Sequence, residues 1–151
     1  MEKSKRMIKS DFLVQISSIV CLFLFFQSCS NGCNVSGVNV SELLTVASKH
    51  KRIDYCNLLD EALNGNEIAV RELSLLEFNA AAGYDQGAVI VDLILKLGEK
   101  KYIKSIFEIS NKEKILIESY IDVGVEYSDK PELKNRKLKD VFSKLYVFLK
   151  E

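Results

Sequence analysis

Tyr55-Cys56-Asn57-Leu58-Leu59-Asp60-Glu61-Ala62-Leu63-Asn64-Gly65-Asn66 is the stretch on which the fold turns. Its residues Tyr55, Leu58, Leu59, Ala62 and Leu63 recur at i, i+3, i+4, i+7 and i+8, one apolar stripe along a helix. Asn64-Gly65 stops that helix, because glycine takes the left-handed conformation that closes a helix without a steric cost. Asn66 then caps a further helix, its side chain accepting from backbone N–H groups that have no partner in the first turn.

Reading outward toward the C-terminus, the helix opened by Asn66 runs to about Phe78, with Ile68, Ala69, Leu73 and Leu76 inward and Glu67 and Arg71 as an i, i+4 ion pair outside. Residues 80–87, Ala-Ala-Ala-Gly-Tyr-Asp-Gln-Gly, interrupt the rhythm and read as a connection. They lack the Lys-Ser/Thr of a phosphate loop. Their Tyr84, Asp85 and Gln86 are candidate partner-binding residues, since contacts tend to sit on loops held by a rigid scaffold. Residues 88–97 are apolar almost all round, broken by Asp92 and Lys96, and predict a buried central helix ending at Gly98; a buried strand is the second reading, because Val89-Ile90-Val91 is β-prone. A short helix follows on Tyr102, Ile103, Ile106 and Phe107. Ser110 with Glu113 makes a capping box that opens a helix to about Tyr127. Asp129, Pro131 and Glu132 open the last helix, whose stripe is Leu138, Val141, Phe142, Leu145, Tyr146 and Leu149. Reading back toward the N-terminus, Asn39 with Glu42 caps a first helix carrying Leu43, Leu44, Val46 and Ala47. The expectation is an all-α single domain over residues 39–151, about seven short helices in an α-hairpin array or irregular bundle. Gly65 and Gly98 lie 33 residues apart, and Val70 and Leu73 then align with Ile103 and Ile106, which hints at stacked helix pairs.

Ahead of this domain, Lys3, Lys5, Arg6 and Lys9 precede an apolar run over residues 12–26 and then Gln27-Ser28-Cys29-Ser30, the order of an export signal. As a helix the run would reach ~22 Å, short of the ~30 Å hydrocarbon core. Phe26-Gln27-Ser28-Cys29 resembles the lipobox of bacterial lipoprotein signal peptides of the Bacteroidetes type. Ser28 and Cys29 match the pattern, and Phe26 and Gln27 depart from its usual Leu and small residue. The resemblance implies residues 1–28 as signal peptide, lipidation of Cys29, and an anchor in the cell envelope, at the outer membrane, with the periplasmic leaflet favoured because residues 30–37 carry no acidic export tether. Two or three acyl chains hold a protein on a bilayer effectively for good, at ~0.8 kcal/mol per buried CH₂. Residues 29–38, rich in Ser, Asn and Gly, read as a flexible tether.

Of the 21 basic and 21 acidic residues, four basic and two acidic ones precede Cys29. A chain so balanced has no long-range field for nucleic acid, which is not an expected partner. Cys33 and Cys56 remain beyond the signal and Cys29; they either close a disulfide or stay apart, one a core residue and the other a free thiol. The single histidine, His50, sits with Lys49, Lys51 and Arg52 at a helix end, where it helps satisfy terminal carbonyls. No metal spacing, catalytic dyad or cofactor motif is legible, so neither a cofactor nor an enzyme is expected. Glu118, Asp122 and Glu126 recur every four residues and form an acidic stripe on one helix face. Either it is neutralised internally, by Lys130, Lys134, Lys137 or Lys144, or simply solvated, or it docks a basic protein. The expected function is a lipid-anchored, protein-binding helical module with an unknown protein partner. An immunity-type inhibitor of a toxin and a structural envelope component are the alternatives.

Overall fold

The computed structural model describes residues 32–151, Asp129 excepted. Those residues are mostly helical. The elements are β1 (Cys33–Val35), β2 (Val38–Val40), α1 (Glu42–His50), α2 (Tyr55–Leu63), α3 (Glu67–Ser74), α4 (Ala80–Leu97), α5 (Glu99–Ser105), α6 (Asn111–Glu126), α7 (Leu138–Val141) and α8 (Ser143–Lys150). The Cys29 lipobox and the signal peptide lie outside the described residues. None of the described helices is long and apolar enough to cross a membrane.

The stripe on α2 is buried as its spacing requires: Tyr55, Leu59 and Ala62 are inside, with Leu58 and Leu63 packed at the margin. Asp54 caps α2 and Asn66 caps α3, the latter accepting from the N–H groups of Ile68 and Ala69. Ser110 and Glu113 form the reciprocal capping box of α6. α3 stops at Ser74, short of Phe78.

Helices α2/α3 and α4/α5 are two successive hairpins, and their second members run parallel. Lys104 Nζ meets Glu67 Oε1 at 2.5 Å, and four residues further along each segment Arg71 meets Glu108, just past α5, at 3.9 Å. α4 and α6 also advance together, since Tyr120 lies against Phe78 and Gly83 while Gly124 lies against Gly87 and Val91. α2, α4 and α6 make one layer; α3, α5 and α8 make the other. This is an α-hairpin array, and the 33-residue spacing of Gly65 and Gly98 is the offset of its first two units. The space between the layers is filled by Leu59, Val70, Leu73, Ile90, Leu93, Ile94, Tyr102, Ile106, Ile117, Ile121 and Leu145.

Four expectations need correction. Residues 80–87 are the first two turns of α4 rather than a connection. Gly83 and Gly87 mark a close approach: a Cβ on Gly87 would stand 2.4 Å from the Tyr120 carbonyl oxygen and one on Gly83 2.9 Å from that of Phe78. The tether over residues 29–38 is, from Cys33 onward, an antiparallel ribbon pairing Cys33 with Val40 and Val35 with Val38. It is held by the disulfide Cys33–Cys56 and by full burial of Val38. The cap of α1 is accordingly Ser41, not Asn39, which lies in β2. The last helix does not start at Pro131: residues 131–135 form a turn, and α7 and α8 are split at Phe142. α8 has no side-chain cap of its own, and the carboxylate of Glu99 supplies one by accepting from Leu145 N at 2.9 Å. The proposed opener Asp129 lies outside the described residues.

Candidate functional site

The three polar residues read as one exposed cluster point in three directions. Tyr84 is 51 % exposed and meets Tyr127 edge-on, ring centroids 5.4 Å apart. Asp85 is half-buried and accepts a hydrogen bond from Ser41 Oγ, which ties the start of α1 to α4. Gln86 is completely buried and is therefore not a partner-binding residue. Its Oε1 accepts from the Tyr55 hydroxyl and its Nε2 donates to the Leu73 carbonyl at 2.7 Å, so one amide joins α2, α3 and α4. Burial pushes the Tyr55 hydroxyl well above its ordinary range, with the Tyr120 and Asp85 charges adding to the effect, and it stays a neutral donor. Tyr102 is raised by burial in the same way and shares a 2.8 Å hydrogen bond with Ser74 between α3 and α5.

The acidic stripe lies on α6. Asp122 stands two residues before Gly124, about 200° round the helix, so the stripe faces away from α4. Of the four lysines expected to neutralise it, Lys130 is engaged elsewhere, on Asp92 at 2.6 Å. The ion pair is made by Lys150 at the end of α8, 2.6 Å from Glu118 Oε1. That hydrogen bond raises the Lys150 pKa against a lowering by burial. Asp122 is raised by desolvation first and by the Glu118 charge second, with Lys150 opposing. The stripe closes the C-terminal end of the α4–α6 layer with polar groups, as terminal units of hairpin stacks require.

A groove that the sequence reading missed lies between α3 and α5. It encloses about 610 Å³ and is lined by Glu67, Ile68, Arg71, Lys100, Ile103 and Phe107 among others. Ile68 is 78 % and Phe107 71 % exposed, although both were expected inward. The signal was available in the pattern: Ile68 falls one residue off the Ala69, Leu73, Leu76 stripe, and Phe107 follows Ile106, so a helix buries one neighbour and shows the other. Phe107 stacks on Phe148 of α8, centroids 6.3 Å apart, and Lys114 sits 4.6 Å over the Phe148 ring. The lining carboxylates Glu67 and Glu108 are consumed by the Lys104 and Arg71 ion pairs. Lys100 in this groove and Lys101 in the adjoining one, of about 330 Å³, make no ion pair among the described residues.

No group of three His, Cys, Asp or Glu among the described residues is placed to hold a metal ion. No protein-family model, curated protein or solved structure matches this chain.

Proposed function

We propose that this chain is a lipid-anchored lipoprotein of the cell envelope whose helical body binds a protein partner in the α3/α5 groove. The anchor is supported by the Lys3–Lys9 cluster, the apolar run and Ser28-Cys29. Binding is supported by one observation above the others: Ile68 and Phe107 stand exposed on either side of a groove bordered by Lys100, which makes no ion pair among the described residues. Two large apolar side chains exposed across one cleft, with polar rims, are the pattern of an interaction site. The fitting partner presents apolar side chains flanked by carboxylates.

Labelling with a palmitate analogue tests the anchor: wild type takes label, Cys29→Ala does not, and equal labelling of the two refutes it. A photo-crosslinking amino acid at position 103 of the full-length protein in its own cells tests the groove. One discrete adduct is expected, lost on Ile68→Asp. An adduct that instead requires Asp122 and Glu126 would favour the immunity-type reading, with the stripe as docking face.

A further inference from the structure

We infer that the outer face of α1 is a membrane-contacting surface, laid on an anionic lipid bilayer by the anchor beside it. This deepens the proposed function and rests on lipidation of Cys29.

The anchor cannot be far from α1. The described chain begins at Gly32, where a Cβ would lie 2.7 Å from the Val40 carbonyl oxygen and 3.4 Å from the backbone nitrogen of Glu42, the first residue of α1. Three peptide units from Cys29 to Gly32 span at most about 11 Å when fully extended. Acyl chains on Cys29 therefore hold the first turn of α1 close to the headgroups. The slack that a tether through residue 38 would give is removed by the Cys33–Cys56 disulfide.

The face brought there has the composition of an interfacial helix. α1 buries Leu44, Thr45 and Ser48. On its other side Leu43 is 48 % and Val46 37 % exposed, and Lys49 and His50 continue the same face. Lys51 and Arg52 follow at the C-terminal end, so Lys49, Lys51 and Arg52 gather three positive charges around His50. Lys49 and Arg52 share a cavity wall with Cys56, the disulfide partner of Cys33. None of these cations makes an ion pair among the described residues; Lys51 lies over the Phe78 ring at 5.7 Å. The acidic residues at this end are Glu42 in the first turn, Asp54, which caps α2, Asp85, bound by Ser41, and Glu77 beside Phe78. Apolar side chains followed by a basic cluster are what a helix needs to sit at the boundary between headgroups and acyl chains.

The chain contains no tryptophan, so a single introduced indole reports its own surroundings. The full-length lipidated protein carrying Leu43→Trp or, separately, Val46→Trp is reconstituted into vesicles of phosphatidylcholine and phosphatidylglycerol with brominated acyl chains. Both indoles are expected to shift blue and to be quenched, and Tyr127→Trp to be neither. Adding Lys49→Glu, Lys51→Glu and Arg52→Glu, or omitting phosphatidylglycerol, should reduce the quenching to about half or less. A protein that floats with the vesicles while the indoles at 43 and 46 stay unquenched, or while the one at 127 is quenched equally, overturns the inference and leaves the anchor standing. A protein that does not float removes the anchor and the inference together.

Discussion

Replacing Gly124 by alanine should destabilise the protein even though alanine is the better helix former. Gly124 lies inside α6, where the swap alone is worth about 1 kcal/mol in favour of alanine. The new Cβ would stand 2.2 Å from the Gly87 carbonyl oxygen, 2.5 Å from its carbon and 2.7 Å from Val91 Cγ2. Two of those three atoms are backbone, so no rotamer change relieves the clash and α4 and α6 must part. Overpacking of a tight interface costs about 1–3 kcal/mol, and with backbone as the obstacle the upper end applies. The net expectation is a loss of about 2 kcal/mol, or roughly 8 °C in Tm for a domain of this size. Urea and thermal unfolding followed by circular dichroism measure it. Gly65→Ala is the control: Gly65 has φ +88 with nothing within 4 Å of a Cβ, so it reports backbone strain alone, about 1 kcal/mol. Gly87→Ala, 2.4 Å from the Tyr120 carbonyl oxygen, should cost as much as Gly124→Ala, and the pair together less than the sum, because helices already parted have room for the second methyl. A neutral or stabilising Gly124→Ala would refute the claim that these helices touch through their glycines.

Two further outcomes are expected. Gln86→Leu keeps roughly the volume but strands the Tyr55 hydroxyl in the core and takes one donor from the Leu73 carbonyl, which keeps the Leu76 N–H at 3.4 Å, and should cost about 1–3 kcal/mol in chemical unfolding, whereas a surface amide could be changed within ~0.5 kcal/mol. Asp122→Asn should stabilise at neutral pH by a few tenths of a kcal/mol, partly screened by salt, because it removes a carboxylate disfavoured first by desolvation and then by the Glu118 charge. The sign follows from the raised folded pKa: the native state favours the protonated acid, so wild type gains on the variant as pH falls through that pKa, and unfolding curves taken from pH 7 to pH 3 should converge.

Most of the helices were legible because apolar spacing and caps agree along them. Tyr55 to Leu63, Asn66 and Ser110 with Glu113 all carry both signals. What was not legible is tertiary. Gly83 and Gly87 look the same in a sequence whether they turn the chain or admit a close backbone, and the structure decides: Gly87 meets the backbone of α6, while Gly83 meets the Phe78 carbonyl that leads into its own helix. The ribbon of Cys33 to Val40 is too short to declare itself, and is fixed by a distant cysteine and by the burial of Val38 and Val40. The break at Phe142 depends on Glu99, which no local window contains. Among candidate site residues, the acidic stripe was read correctly as one face of α6, but its counter-ion Lys150 was not, since the end of α8 meets α6 only in the fold. Gln86 was misplaced for the same reason as its glycines.

The disulfide also decides how the body carries a load. A pull on the chain ahead of Gly32 enters at Cys33, at one end of a two-stranded ribbon whose pairs would open one after another like a zip. The covalent link to Cys56 takes the tension first and delivers it to the first turn of α2. From there it runs through Asn64-Gly65 into α3 and the groove beside it, leaving the ribbon and α1 slack. An oxidised chain is thus a short, stiff coupling between Cys33 and α3. The reduced chain would have a compliant spring of two strands and a helix in the same line.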